Sequence, residues 1–194
     1  RLGIPFYHEQ FDTNNYAWEY NLSTQLAART LRYTWFDEVL MEGKFDKLAT
    51  AHHLNDSLET VLINLSRGTG IDGLAGIPVE NKSIIRPMLF ATRLEIEAFA
   101  KAEHITWRED SSNLTDDYQR NFIRHHIMPL LKEINPSLEH TFLSTQEKVR
   151  GGVELINLAH ATLEKEFVQR TDGKYSFINQ RLKRFIIRLP FYGK

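Results

Sequence analysis

Apolar positions recur along this chain with two periods, and each change of period marks an element. Ile4-Pro5-Phe6-Tyr7-His8 predicts a short strand. Ser23 and Thr24 are cap residues for a helix that carries Leu31, Trp35, Phe36, Val39 and Leu40 on its apolar side and ends near Gly43. Lys47-Leu48-Ala49-Thr50-Ala51 is short and nearly uncharged, the pattern of a buried parallel strand. Leu58, Val61, Leu62 and Leu65 then form an i, i+3, i+4, i+7 stripe that stops at Gly68. A glycine-rich connection runs through Gly70, Gly73 and Gly76. Ile84-Ile85-Arg86-Pro87 predicts another strand, and Thr92 with Glu95 is a capping-box signal for a helix to about Glu103. Ile105-Thr106-Trp107 predicts a last short strand. This alternation argues for an α/β fold, a parallel sheet with helices on its faces.

The pattern changes after Pro129. Asn135-Pro136 reads as a cap with proline at the first helical position. A helical pattern follows to about Arg170, with Leu138, Phe142, Val149, Val153, Ile156, Leu163 and Phe167 as apolar candidates. Gly151-Gly152 is expected to bend or break it. Asp172-Gly173 predicts a hairpin turn into Tyr175-Ser176-Phe177-Ile178. The expected organisation is a first domain over residues 1–134 and a mainly helical second one over residues 135–194, cut short because Arg181 to Lys194 offers no closing element.

Composition narrows the function classes. With 42% hydrophobic and 25% charged residues over 194 positions, the chain fits a soluble globular protein. A net charge of −1 excludes a broadly basic nucleic-acid binder but permits a local basic face. The absence of cysteine removes disulfides, thiolate metal sites and thiol nucleophiles. No apolar run approaches the roughly 20 residues that span a bilayer. The chain opens at Arg1 in strand-like sequence, which is expected of a cytoplasmic protein lacking its true start.

The richest chemistry lies in Ala51-His52-His53-Leu54-Asn55-Asp56-Ser57-Leu58-Glu59-Thr60. Two histidines leave a strand, and Asp56 and Glu59, three apart, share one face at the start of a helix. Like charges so placed repel, so a cation between or near them is expected, either a metal such as Mg²⁺ or an ammonium. In an open parallel sheet, ligands gather at such strand–helix junctions. The plainer alternative is that Asp56 offsets the helix dipole while His52 packs in a loop. Arg29 and Arg32 follow two alanines on a helix, a face slim enough for a ligand to approach and equally readable as a solvated basic face. Arg67-Gly68-Thr69-Gly70 is a weak anion-loop signal, and Gly68 also serves as a helix C-cap. After the polar loop Arg108-Glu109-Asp110-Ser111-Ser112-Asn113, Arg120 and Arg124 stand four apart, so both guanidinium groups can face one site. A structural ion pair from Asp110 to an arginine of that helix is the coexisting alternative.

Together these segments resemble the tRNA(Ile)-lysidine synthetase family, within the N-type ATP pyrophosphatases of the PP-loop superfamily. The resemblance rests on Leu2-Gly3-Ile4-Pro5, Ala27-Ala28-Arg29, Leu31-Arg32-Tyr33, Ala51-His52-His53, Asp56 with Glu59-Thr60, and Arg67-Gly68-Thr69-Gly70. Gly73-Leu74-Ala75-Gly76-Ile77, Arg86-Pro87, Asp110 with Ser112-Asn113, and Arg120-Asn121-Phe122-Ile123-Arg124 complete it. It implies a Rossmann-like parallel sheet with helices on both faces. It also implies adenylation of a wobble cytidine in an isoleucine tRNA by ATP, followed by attack of L-lysine. By resemblance Asp56 and Glu59 would hold Mg²⁺ or the lysine ammonium, and His52 would sit by the nucleotide. Arg32 and Arg124 would stabilise charge at the α-phosphate, and Arg67, Gly68 and Gly70 would line the nucleotide site. The family's Ser-Gly-Gly-x-Asp-Ser loop is not among these residues, and the resemblance places it upstream of Arg1. Other readings are a thiolase-like PP-loop enzyme, disfavoured by the lack of cysteine, and a non-catalytic RNA-binding module. A homodimer stays an open oligomeric state.

Overall fold

The computed structural model describes residues 3–108, 119–171 and 174–177. Asp110, Ser111–Asn113, Asp172-Gly173, Ile178 and Arg181–Lys194 lie outside the described residues. The chain divides into two units, one of residues 1–52 and 78–89, the other of residues 53–77 and 90 onward.

In the first unit, the Asp12 carboxylate accepts from the Asn15 N–H at 3.0 Å and caps α1 (Thr13–Glu19), a helix with no counterpart in the expectations. Ser23 caps α2 (Thr24–Gly43) through its hydroxyl, which accepts from Leu26 N–H at 3.3 Å. α2 ends where Lys44 takes a left-handed φ of 52°. Three short strands follow: β1 (Leu48–Ala49), β2 (Glu80–Asn81) and β3 (Ile84–Ile85), in the order β1-β3-β2. β1 and β3 run parallel, with Leu48 opposite Ile84 and Ala49 opposite Ile85. β2 and β3 form an antiparallel hairpin whose turn places Lys82 at φ 55°. The fold is therefore α/β with a small mixed sheet, and the purely parallel expectation is corrected by that hairpin. Ile4–His8 is not a strand: Pro5 offers no N–H to a ladder, and Phe6 is 88% exposed.

The second unit is built on α3 (Leu54–Arg67), whose first turn buries Leu54, Ser57 and Leu58, with Val61 one turn on. Complete burial of such apolar side chains contributes about 1.5–3 kcal/mol each, so this end of α3 is its anchored end. Leu65, expected on the same stripe, is 55% exposed, because the buried face runs through residues 54, 58 and 61 instead. Gly68 terminates α3 at φ 79°, a backbone angle that only glycine adopts freely. α4 (Ile71–Leu74) follows, then α5 (Arg93–Ala102). The Thr92 hydroxyl and the Glu95 carboxylate form the expected capping box of α5. Ile105–Trp107 is not a strand either: His104 turns left-handed at φ 53° and the Ile105 N–H closes back on Ala100 O at 2.8 Å.

α6 (Gln119–Phe122) runs into a π-helical turn over Ile123–Ile127 and then into α7 (Met128–Ile134). Asn135 Oδ1 accepts from Ser137 N–H at 3.0 Å ahead of α8 (Leu138–Phe167). α8 passes through Gly151-Gly152 unbroken, contrary to expectation. A helical glycine costs about 1 kcal/mol, a cost offset by the packing of α8 against α3 and α4. β4 (Val168–Thr171) and β5 (Lys174–Phe177) pair antiparallel, as the hairpin expectation required. Among the described residues no helix is long and apolar enough to cross a membrane.

Candidate functional site

The second unit supplies a compact cluster at the start of α3. Asp56 sits at the third helical position, where Oδ2 accepts from the His53 N–H at 3.0 Å and so closes an otherwise unpaired helix-end donor. Glu59, one turn later, is buried at 1% exposure. A carboxylate cannot stay ionised there without partners, and the helix 65 residues downstream provides them. Arg124 donates from Nε to Glu59 Oε1 at 2.7 Å and from Nη2 to Oε2 at 2.9 Å. The same Nη2 lies 3.6 Å from Asp56 Oδ1. The cation that two crowded carboxylates demand is thus Arg124 itself, straddling both.

Arg120 stands one turn before Arg124, its Nε 3.6 Å from Glu59 Oε2. Its Nη2 donates to Thr60 Oγ1 at 2.9 Å, and that hydroxyl donates to Asp56 O at 2.7 Å. Both arginines therefore converge on the acid pair, as their spacing of four anticipated. Arg124 is carried by the π-helical turn, a feature no residue pattern announced.

Electrostatics within the cluster follow from this geometry. The hydrogen bonds that Arg124 donates to Glu59 raise its pKa above the ordinary value, against the opposing effect of burial. Burial lowers the His53 pKa below 6.5, and the Asp56 and Glu59 charges only partly offset it. His53 Nε2 lies 3.5 Å from Asp56 Oδ2. Two carboxylates, two guanidinium groups and a histidine biased to neutrality leave a nearly balanced site.

The other expected site residues are placed as follows. Arg32 lies on α2 and His52 in the connection after β1, where Thr50 Oγ1 and His52 Nδ1 are 2.8 Å apart, and both belong to the first unit. Arg67 closes α3 and its guanidinium donates to the Gln119 side chain. Gly68 is the C-cap of α3 and Gly70 the N-cap of α4. Asp110 lies outside the described residues.

As to metal, Mg²⁺ is commonly held by one or two carboxylates with substrate phosphates completing its shell. Asp56 fits that role: Oδ1 is beyond hydrogen-bond reach of Arg124 and half-buried. Glu59 does not fit it, since both oxygens accept from Arg124. Among the described residues, no group of three or more His, Asp or Glu side chains is arranged to hold a metal ion.

Residues 1–131 match the PP-loop domain family. The chain is 49% identical to the tRNA(Ile)-lysidine synthase of Porphyromonas gingivalis strain W83, over 77% of this chain and 33% of that protein. It is 42% identical to the protein of the same name from Parabacteroides distasonis, over 88% of this chain and 39% of that one. Against that of Petrotoga mobilis it is 41% identical over its whole length and 62% of the relative. The chain thus spans between a third and two fifths of the length of the first two of these relatives.

Proposed function

The chain belongs to the PP-loop domain family, and from that premise we propose that it carries the catalytic part of a tRNA(Ile)-lysidine synthase. The observation that supports this reading most is the acid pair Asp56 and Glu59 straddled by Arg124, in a chain 41–49% identical to proteins of that name. The proposed reaction has two steps. ATP adenylates the C2 oxygen of the wobble cytidine of an isoleucine tRNA and releases pyrophosphate. The L-lysine amine then forms a C2–N bond, the C2–O bond to AMP breaks, and lysidine results.

The cluster divides this work as follows. A guanidinium has five N–H donors. Glu59 takes Nε and one Nη2 hydrogen of Arg124, so three remain for an α-phosphoryl oxygen, where extra charge develops as pyrophosphate departs. One such preorganised donor is worth about 3 kcal/mol in the transition state. Asp56 Oδ1 receives the cationic partner: it orients the lysine ammonium and takes the proton the amine must lose before attack. The alternative cation for that same oxygen is Mg²⁺, which would supply charge neutralisation at the phosphates when held there. Glu59 acts through Arg124, whose edge it fixes.

The roles of Arg32 and His52 near the nucleotide, and of Arg67, Gly68 and Gly70 along it, rest on the motif resemblance. So do a Rossmann-like sheet flanked on both faces, a catalytic domain over residues 1–134 and a tRNA-interacting helical part from 135 to 194. A cytoplasmic setting goes with a tRNA substrate.

The test is incubation of the intact protein with isoleucine tRNA, ATP and radiolabelled lysine. Label entering tRNA only when ATP is present supports the synthase. Tight tRNA binding without incorporation would instead favour an RNA-binding module.

A further inference from the structure

α8 has no part in the chemistry just described, yet it is bonded to both chain neighbours of Asp56. On one side, Asn55 Nδ2 donates to Glu139 Oε1 at 3.0 Å, while Asn55 Oδ1 accepts from the Arg93 N–H at 2.9 Å. Lys132 Nζ holds the same Glu139 oxygen at 2.5 Å. On the other side, Gln146 Nε2 donates to Ser57 Oγ at 2.5 Å and to Ala75 O at 2.9 Å. Ser57 Oγ also accepts from the Ile77 N–H at 3.0 Å. Arg150, one turn beyond Gln146, donates to Ala75 O at 3.2 Å and Ile77 O at 2.6 Å. Ser57 is 0% and Gln146 1% exposed.

A buried amide costs more desolvation than an apolar side chain of equal volume. What it adds is direction: the amide is held by Ser57 Oγ on α3 and by Ala75 O after α4, and the first of these bonds fixes the rotation of α3. Glu139, Gln146 and Arg150 recur at seven and four residues, so one face of α8 makes every one of these bonds. Gly76 completes the fit: at φ 68°, a Cβ there would stand 2.2 Å from Gln146 Nε2 and 2.4 Å from Ser57 Oγ.

We propose that Gln146 and Glu139 are positioning residues for Asp56. α8 grips Asn55 and Ser57 and so fixes the rotation of the first turn of α3, which aims the carboxylate between them at the reacting amine. This deepens the function proposed above and rests on it.

The experiment uses the intact protein with Gln146→Leu, and with Val61→Ala as a control that removes buried carbon from α3 but leaves both grips in place. Steady-state lysine incorporation, thermal midpoint and hydrogen exchange of the residue 54–58 amides are measured for each. Expected for Gln146→Leu is a kcat lower by about 10- to 100-fold, the scale of a misplaced reacting group. Its tRNA affinity stays unchanged, and the 54–58 amides exchange faster than in Val61→Ala. Val61→Ala lowers the midpoint and keeps kcat within about twofold. Should Gln146→Leu fail to fold, Glu139→Ala tests the other grip with the same readouts. A gripless variant with a lowered midpoint and wild-type kcat overturns the proposal. If the wild-type protein incorporates no lysine, the function reading falls, and exchange still decides the grip: equal rates at 54–58 in Gln146→Leu and Val61→Ala overturn it.

Discussion

Glu59→Gln is the sharpest perturbation of the cluster, because it keeps the shape of the side chain and removes only its charge. In the native protein the Glu59 carboxylate is 1% exposed and takes two bonds from Arg124, at 2.7 and 2.9 Å. Breaking a buried ion pair by removing one partner costs about 3–5 kcal/mol. The lower end applies here, since Arg124 keeps 23% exposure and has Asp56 Oδ1 at 3.6 Å as a fallback. A Gln amide can accept one of the two bonds but presents a donor to the other. We expect a local loss of about 3 kcal/mol, or roughly 100-fold faster exchange of the buried α3 amides under native conditions. Activity should fall further than stability explains, as Arg124 swings toward Asp56 and neutralises the group meant for the amine. An exchange rate within about threefold of wild type, with full activity, would refute the view that Glu59 anchors Arg124.

Three other outcomes follow from the geometry. Asp56→Asn should abolish lysine incorporation while circular dichroism and thermal midpoint persist, because the Asn oxygen can still accept from the His53 N–H; near wild-type turnover removes Asp56 from the site. Gly76→Ala should destabilise by about 3 kcal/mol in chemical denaturation, from overpacking and left-handed strain together, given the contacts of 2.2 and 2.4 Å a Cβ would make; a loss below about 1 kcal/mol would show that Gln146 moves aside freely. Burial alone would raise the Glu139 carboxyl, but the Lys132 and Asn55 bonds outweigh it and hold its pKa below 4.5. The folded value is the depressed one, so its stabilisation is whole above pH 4.5 and fades as pH falls through the folded value. The stability gap between wild type and Glu139→Gln, about 1 kcal/mol at neutrality, should therefore close in acid; a gap that widens there contradicts the assignment.

What could be read from the residues was local chemistry. Ser23, Gly68, and Thr92 with Glu95 mark helix ends by the bonds their own side chains or backbone make, and α2, α3 and α5 begin and end accordingly. Asp12 caps α1 by a like bond, but the aromatic residues around it give no helical stripe to go with that signal. The strand expectations failed at Ile4–His8 and Ile105–Trp107 because apolar alternation says nothing about whether a partner strand is present. The candidate site was half legible. Spacing put Asp56 beside Glu59, and Arg120 beside Arg124, on their own helices. That the two pairs meet depends on a contact 65 residues apart, and no spacing rule reaches so far. Gln146 was invisible for the same reason: a glutamine within a helical pattern is ordinarily solvated, and only the packing of α8 on Ser57 buries it.

The most direct test of the central claim counts AMP and tRNA-bound lysine in one reaction, using intact protein, isoleucine tRNA, ATP and lysine, with wild type and Arg124→Ala side by side. The account predicts equal molar yields of the two products for the wild type and loss of both for Arg124→Ala with tRNA binding retained. Undiminished AMP and lysidine from Arg124→Ala would contradict it.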